Sequence, residues 1–250
     1  GRRVVHTIVN DRIGLSSLHG SKYVQSELGG VYDPIKQLLK EGRTVLFSGT
    51  PCQVAAVKRL FPEQAENLIT VALICYGVPS PMALEAYFRS IERSAGSRLK
   101  QYVFREKDRA SGHLVSRHCF ENAEKDTTTS YAGNPYSRAF FSNLIIRPSC
   151  TNCKFRNGSA GADLQIGDAW GVNEVHPGFD DAAGVSAILV NTEKGLHLVE
   201  HLNCDVAIVD YAQVLKHNPM LEKNPRINEK QNAFFQKLQA GEDFCVCVEA

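Results

Sequence analysis

Cys150 and Cys153, in the run Arg147-Pro148-Ser149-Cys150-Thr151-Asn152-Cys153-Lys154-Phe155, are the most chemically pointed feature of the sequence. Two thiolates three residues apart on a turn reach one metal centre together, and zinc, iron-sulfur clusters and redox disulfides all use that spacing. Cys52 and Cys75 each follow an apolar run that reads as a buried strand, and each enters a Gly- or Pro-bearing loop. From there they can join the pair to give the four thiolates that a 4Fe-4S cluster takes. The same two residues read equally well as small core side chains. A structural zinc site would use the same four thiolates, but most such sites are built from two close pairs and only one is present, which sets iron-sulfur a little ahead.

The chain has eight cysteines. Cys119 lies in an apparent strand and Cys204 follows a short helix, and both read as packing residues. Cys245 and Cys247 are spaced too tightly to chelate from a rigid strand. A second metal-like pattern, His197-Leu198-Val199-Glu200-His201, has the inverted zinc-peptidase order, with two His one helical turn apart. It lacks an evident third ligand and reads as an ordinary helix.

The elements that must position these residues alternate in an α/β order. Residues 32–42 put Ile35, Leu38 and Leu39 at helical spacing and stop at Gly42. A strand at 44–47, a helix at 53–60 and a strand at 68–74 make a βαβ unit, with a parallel, right-handed crossover as its expected geometry. Cys52 and Cys75 then fall at the carboxyl ends of its strands, where open α/β sheets hold ligands. Further on, the pattern predicts a helix at 82–91, a hairpin of 99–105 with 113–120, a polar loop over 121–133 and a helix at 135–144. Strands at 162–166, 185–191 and 206–210 follow, with helices at 194–202 and about 228–239. Another helix is expected to start after Tyr23. The fold class is α/β, a mixed sheet with flanking helices: one main domain over 1–250 with a small cysteine-containing lobe.

With 250 residues, 43% of them hydrophobic, the chain can bury a substantial core. Its 28 Lys and Arg nearly balance 27 Asp and Glu, so it lacks the basic field that draws proteins to nucleic acid. No apolar run approaches the roughly 18 residues of a membrane-spanning helix, and no secretory signal opens the sequence. A cytoplasmic protein with reduced thiols is expected. The chain begins Gly1-Arg2-Arg3 without an initiator Met, as a processed or truncated protein would.

Six ordered blocks carry a family resemblance: Gly20-Ser21-Lys22-Tyr23-Val24-Gln25-Ser26, Gly49-Thr50-Pro51-Cys52-Gln53, Cys75-Tyr76-Gly77-Val78-Pro79-Ser80-Pro81, Phe104-Arg105-Glu106-Lys107, Arg147 to Phe155, and Ile166-Gly167-Asp168-Ala169-Trp170-Gly171. Over roughly residues 20–219 the chain resembles the beta subunit family of coenzyme F(420) hydrogenase and dehydrogenase. The resemblance implies a flavin-dependent oxidoreductase subunit with a 4Fe-4S cluster and FAD, exchanging electrons with a soluble carrier such as the deazaflavin coenzyme. It implies that Cys52, Cys75, Cys150 and Cys153 ligate the cluster. Family members usually have Cys-His-Gly in the second cysteine block, where this chain has Cys75-Tyr76-Gly77. Longer relatives carry an N-terminal ferredoxin-like module that these residues lack. If the native protein lacks it too, a separate ferredoxin or a hydrogenase or dehydrogenase subunit would have to supply electrons, and assembly as a homo-oligomer is also compatible.

For the flavin, no Gly-x-Gly-x-x-Gly and no Walker sequence occurs, so a Rossmann-type site is unsupported. Its phosphates would rest on backbone N–H groups near Ser21, with Lys22 for charge and Tyr23 beside it, and on the Gly49-Thr50 turn before a helix. Read locally, Gly20-Ser21-Lys22 is better explained as a plain turn with Lys22 a solvated charge. Lys22, Gln53, Lys154 and Asp168 are the candidate polar contacts to flavin or second carrier, while Trp170 is expected in the core. The remaining alternative is a zinc-stabilised or non-catalytic subunit that binds partners without turnover.

Overall fold

The computed structural model describes residues 2–108, 111–122, 126–180 and 184–249. In chain order it forms α1 (Arg12–Leu18), α2 (Tyr32–Lys40), β1 (Val45–Gly49), α3 (Pro51–Leu60) and β2 (Leu68–Leu73). Next come α4 (Pro81–Ala95), β3 (Leu99–Lys107), β4 (Leu114–Phe120), β5 (Thr127–Ser130) and α5 (Pro135–Phe141). The remainder is β6 (Leu164–Asp168), α6 (Val172–Val175), β7 (Ser186–Val190), α7 (Glu193–Glu200), α8 (Tyr211–His217), α9 (Gln231–Gln239) and α10 (Phe244–Glu249). The fold is α/β and divides into two compact units.

One unit comprises Tyr32–Tyr76 and Asn152–Pro225. Its four-stranded sheet has the order β1-β2-β6-β7, in which β1, β2 and β6 are parallel and β7 runs antiparallel to β6. The βαβ pattern is therefore present as β1-α3-β2, and α3 starts where its chemistry dictates. Pro51 occupies the first turn, where its missing N–H costs nothing, and Gln53 Oε1 accepts from both the N–H and the hydroxyl of Thr50 at 3.0 Å. Val54 and Val57 on its inner face are completely buried. Each contributes about 1.5–3 kcal/mol relative to an exposed side chain. Asp163, also buried, takes hydrogen bonds from the Thr70 N–H at 2.8 Å, the Thr70 hydroxyl at 2.7 Å and the Thr192 hydroxyl at 2.8 Å. It thereby ties β2 to the start of β6 and to the N-cap of α7.

The other unit comprises Gly1–Val31, Gly77–Thr151 and Arg226–Ala250. It holds the antiparallel sheet β3-β4-β5 and a core of aromatic rings, among them Tyr87, Phe104, Tyr136 and Phe244. α4 has Ser80 as N-cap, Pro81 in its first turn and Gly96 at its end in the left-handed conformation. A short antiparallel bridge, Pro79 with Ile146, joins the segment entering α4 to the segment leaving α5, with the Arg147 N–H donating to the Val78 carbonyl at 3.0 Å.

Several expectations fail locally. Residues 206–210 form no strand, and Ile208 is almost fully exposed. An apolar, β-branched run makes a strand only where a neighbour completes its ladder. The polar stretch 121–133 contains β5, whose Thr-rich sequence suits a half-exposed edge; residues 123–125 of that stretch lie outside the described ones. No helix starts after Tyr23; the short helix nearby is α1, capped by Asp11. The Cys245–Cys247 segment is helical, in α10.

Candidate functional site

Cys52 and Cys75 occupy matching positions on a parallel pair. In the β1–β2 register Gly49 stands opposite Ala72, and each cysteine follows its member of that pair by three residues. Cys52 lies in the first turn of α3, exposed, with Sγ 3.2 Å from the Thr50 hydroxyl. Cys75 leaves β2 beside β6: the Ile74 N–H donates to the Ile166 carbonyl at 2.7 Å. Gly167 makes that approach feasible, because a Cβ there would stand 2.8 Å from Ile74 Cβ. A glycine in the Ile166-Gly167-Asp168 block thus lets the Cys75 exit lie flat against the neighbouring strand.

Cys150 lies within, and Cys153 directly follows, one tight 3-10 turn, Pro148–Asn152, with the Cys150 N–H donating to the Arg147 carbonyl at 2.9 Å. The Phe155 N–H donates to Cys153 Sγ at 3.5 Å. Within the aromatic-cored unit, Gly77 packs against Cys150: a Cβ at Gly77 would stand 3.4 Å from Cys150 Cβ. Counted from the Pro79–Ile146 bridge, Cys75 precedes Pro79 by four residues and Cys150 follows Ile146 by four.

All eight cysteines are thiols rather than disulfides. Burial pushes the Cys119, Cys245 and Cys247 thiols up, with Asp126, Asp243 and Glu242 respectively adding to the effect, so these three are poor thiolates. Cys204, expected to pack, is exposed. Among the described residues no three His, Cys, Asp or Glu side chains are gathered to hold a metal ion. Cys52, Cys75, Cys150 and Cys153 are of the donor type an iron-sulfur cluster takes. Among the described residues His197 and His201 likewise have no third ligand; the His201 Nδ1 is 2.7 Å from the His197 carbonyl, a contact within its own helix end.

The residues expected to meet a flavin are differently placed. The Lys22 ammonium donates to the carbonyls of Leu18, His19 and Gly20 at 2.9–3.1 Å, closing the end of α1. Ser21 is exposed, and Tyr23 packs among Phe104, Tyr131 and Phe140, its hydroxyl accepting from Arg105 at 3.2 Å. Gln53 is buried in the cap of α3 with Thr50, beside Gly49. Lys154 and Asp168 are exposed, and Trp170, expected in the core, is 54% exposed. Lys22 and Gln53 are thus hydrogen-bonded within the chain. Sequence reasoning missed Arg156, which lies in the loop after Cys153 and whose guanidinium reaches the carbonyls of Cys75 and Tyr76. Its nearness to the C-x-x-C pair was the only signal.

The architecture is that of an α/β protein with two of its candidate ligands, Cys52 and Cys75, just beyond the carboxyl ends of a parallel strand pair. A family model for the C terminus of the coenzyme F(420) hydrogenase/dehydrogenase beta subunit matches residues 42–210, and the chain belongs to that family. The match takes in all four cysteines and five of the six blocks; Gly20 to Ser26 precede it. The protein is accordingly an oxidoreductase subunit of a kind that works with a partner subunit. No curated protein matches the chain. Among the described residues no helix is long and apolar enough to cross a membrane.

Proposed function

We propose that the protein is an electron-transfer subunit in which Cys52, Cys75, Cys150 and Cys153 ligate a 4Fe-4S cluster, with FAD as the second redox group. The observation that carries this reading is the matched placement of Cys52 and Cys75 beyond β1 and β2, together with a C-x-x-C turn in the same family match. When bound, the cluster would supply one-electron transfer and FAD the exchange between hydride and single electrons. The chain's own part is to present thiols from rigid strand ends and a tight turn. The FAD assignment rests on family membership alone. A ferredoxin or a hydrogenase or dehydrogenase subunit would exchange electrons with the cluster, and a small carrier such as the deazaflavin coenzyme with the flavin.

The test is anaerobic purification followed by assay of iron, acid-labile sulfide, zinc and released flavin. Four iron and four sulfide per chain are expected, falling sharply in Cys52→Ser, Cys75→Ser, Cys150→Ser and Cys153→Ser but not in Cys204→Ser. Colourless protein with stoichiometric zinc would overturn the cluster. Brown protein without flavin would reduce the function to a cluster relay.

A further inference from the structure

Arg156 lies three residues after Cys153, and its guanidinium is divided among four acceptors in one unit. Nη1 donates to the carbonyls of Cys75 and Met220, Nη2 to the carbonyl of Tyr76 at 3.1 Å, and Nε to Asn224 Oδ1 at 3.1 Å. None of these acceptors carries a charge. The cation is brought to the main chain of the Cys75 loop without a carboxylate among those four partners.

Two consequences follow from the chemistry of arginine. Its planar fork grips two successive carbonyls, Cys75 and Tyr76, and so fixes the direction in which the chain leaves β2. Because the same residue is joined by a short loop to Cys153, it also fixes that segment relative to Cys75. A lysine would keep the charge but could not hold the fork. The second consequence is electrostatic. An iron-sulfur centre gains negative charge on reduction, and a fixed cation beside one of its ligands favours the reduced form.

We propose that Arg156 is a positioning residue that holds the Cys75 loop against the Cys153 segment and raises the reduction potential of the cluster those thiols ligate. The inference rests on the reading that Cys75 and Cys153 are cluster ligands. A purely architectural arginine would affect folding stability alone; a positioning residue also alters cluster retention, and its charge alters the potential.

The experiment compares the wild-type chain, Arg156→Lys, Arg156→Gln and Asn224→Ala, each purified anaerobically with thermal unfolding as a control on folding. The readouts are iron and sulfide content, the rate of cluster loss to a chelator, and the midpoint potential by dye-mediated titration. Arg156→Gln should lose its cluster about 10-fold faster, the lower end for loss of an outer-shell partner, and show a more negative potential. Arg156→Lys should lose the cluster faster but keep a potential near the wild type, separating geometry from charge. Asn224→Ala, which spares the contacts to Cys75 and Tyr76, should keep the wild-type potential and retention. Wild-type retention and potential in Arg156→Gln, or a shift in Arg156→Lys as large as that in Arg156→Gln, would overturn the proposal while leaving the cluster in place. A wild-type chain that takes up no iron and sulfide would instead overturn the ligand reading and this inference with it.

Discussion

Gly167 and Ile74 approach so closely that a Cβ on the glycine would stand 2.8 Å from Ile74 Cβ. That atom sits next to the backbone, so relief requires the strand end itself to move. Gly167→Ala should displace the chain leaving β2 just before Cys75. Crowding of this kind costs about 1–3 kcal/mol. A lower unfolding midpoint, accompanied by reduced iron content after anaerobic reconstitution, is the expected result. Unchanged values in both would show that the two strands can part without consequence.

Gly77 requires its glycine for a different reason. Its φ of 154° lies where side chains are strained, and a Cβ would stand 3.1 Å from Ile146 Cγ2 and 3.4 Å from Cys150 Cβ. Gly77→Ala should cost about 1–3 kcal/mol for the backbone conformation and disturb the position of Cys150. Urea unfolding measures the first effect. The reactivity of Cys150 toward a maleimide, compared with that of the exposed Cys204 as an internal reference, measures the second.

Asp163 predicts an acid-labile joint. Burial works to raise its carboxyl, but the hydroxyl and N–H of Thr70, the Thr192 hydroxyl and the Lys194 charge together hold it below its ordinary value of 3.8. The unfolded chain therefore takes up this proton more readily than the folded one. The stabilisation is complete above pH 3.8 and is lost as the pH falls through the lower, folded value. Asp163→Asn should lose about 1–3 kcal/mol at pH 7, as expected when buried donors lose a charged acceptor. Its urea midpoint should also vary less steeply than that of the wild type below pH 4. Parallel pH curves for the two proteins would rule the joint out.

Much of this architecture was legible because local chemistry and tertiary context agree. Pro51 and Gln53 announce α3, Gly42 ends the α2 pattern, and the apolar runs of β1, β2, β6 and β7 have neighbours on the sheet. Where context decides, the sequence misleads. Val206, Ile208 and Val209 have strand chemistry but no pairing strand among the described residues, whereas Thr127, Thr128 and Thr129 look like loop and find β4 beside them. The cysteines could be picked out because four thiols fall in ordered blocks. Arg156 could not, since a guanidinium gripping main-chain carbonyls leaves no pattern: any loop has carbonyls to offer. Gly77 and Gly167 stand in plain view, but only the positions of Cys150 and Ile74 reveal why they must lack a side chain.

The buried polar chain of Asn134, Tyr87 and His118 supplies a last prediction. Asn134 Nδ2 donates to the Tyr87 hydroxyl at 2.9 Å, and that hydroxyl shares a hydrogen bond of 2.8 Å with His118 Nε2. Burial pushes the His118 pKa below its ordinary 6.5, with a hydrogen bond to the Thr127 backbone opposing in part. The unfolded chain thus binds the His118 proton more readily. Stability is whole above about pH 6.5 and declines as the pH falls toward the folded value. Tyr87→Phe leaves both His118 Nε2 and Asn134 Nδ2 without the partner they share, at a cost of about 1–3 kcal/mol. His118→Gln should flatten the decline that begins below pH 6.5 while leaving the Asp163 transition at lower pH in place. Unfolding midpoints taken across that range for the wild type and both variants would settle it: an equal decline in His118→Gln would mean that another group carries the pH dependence.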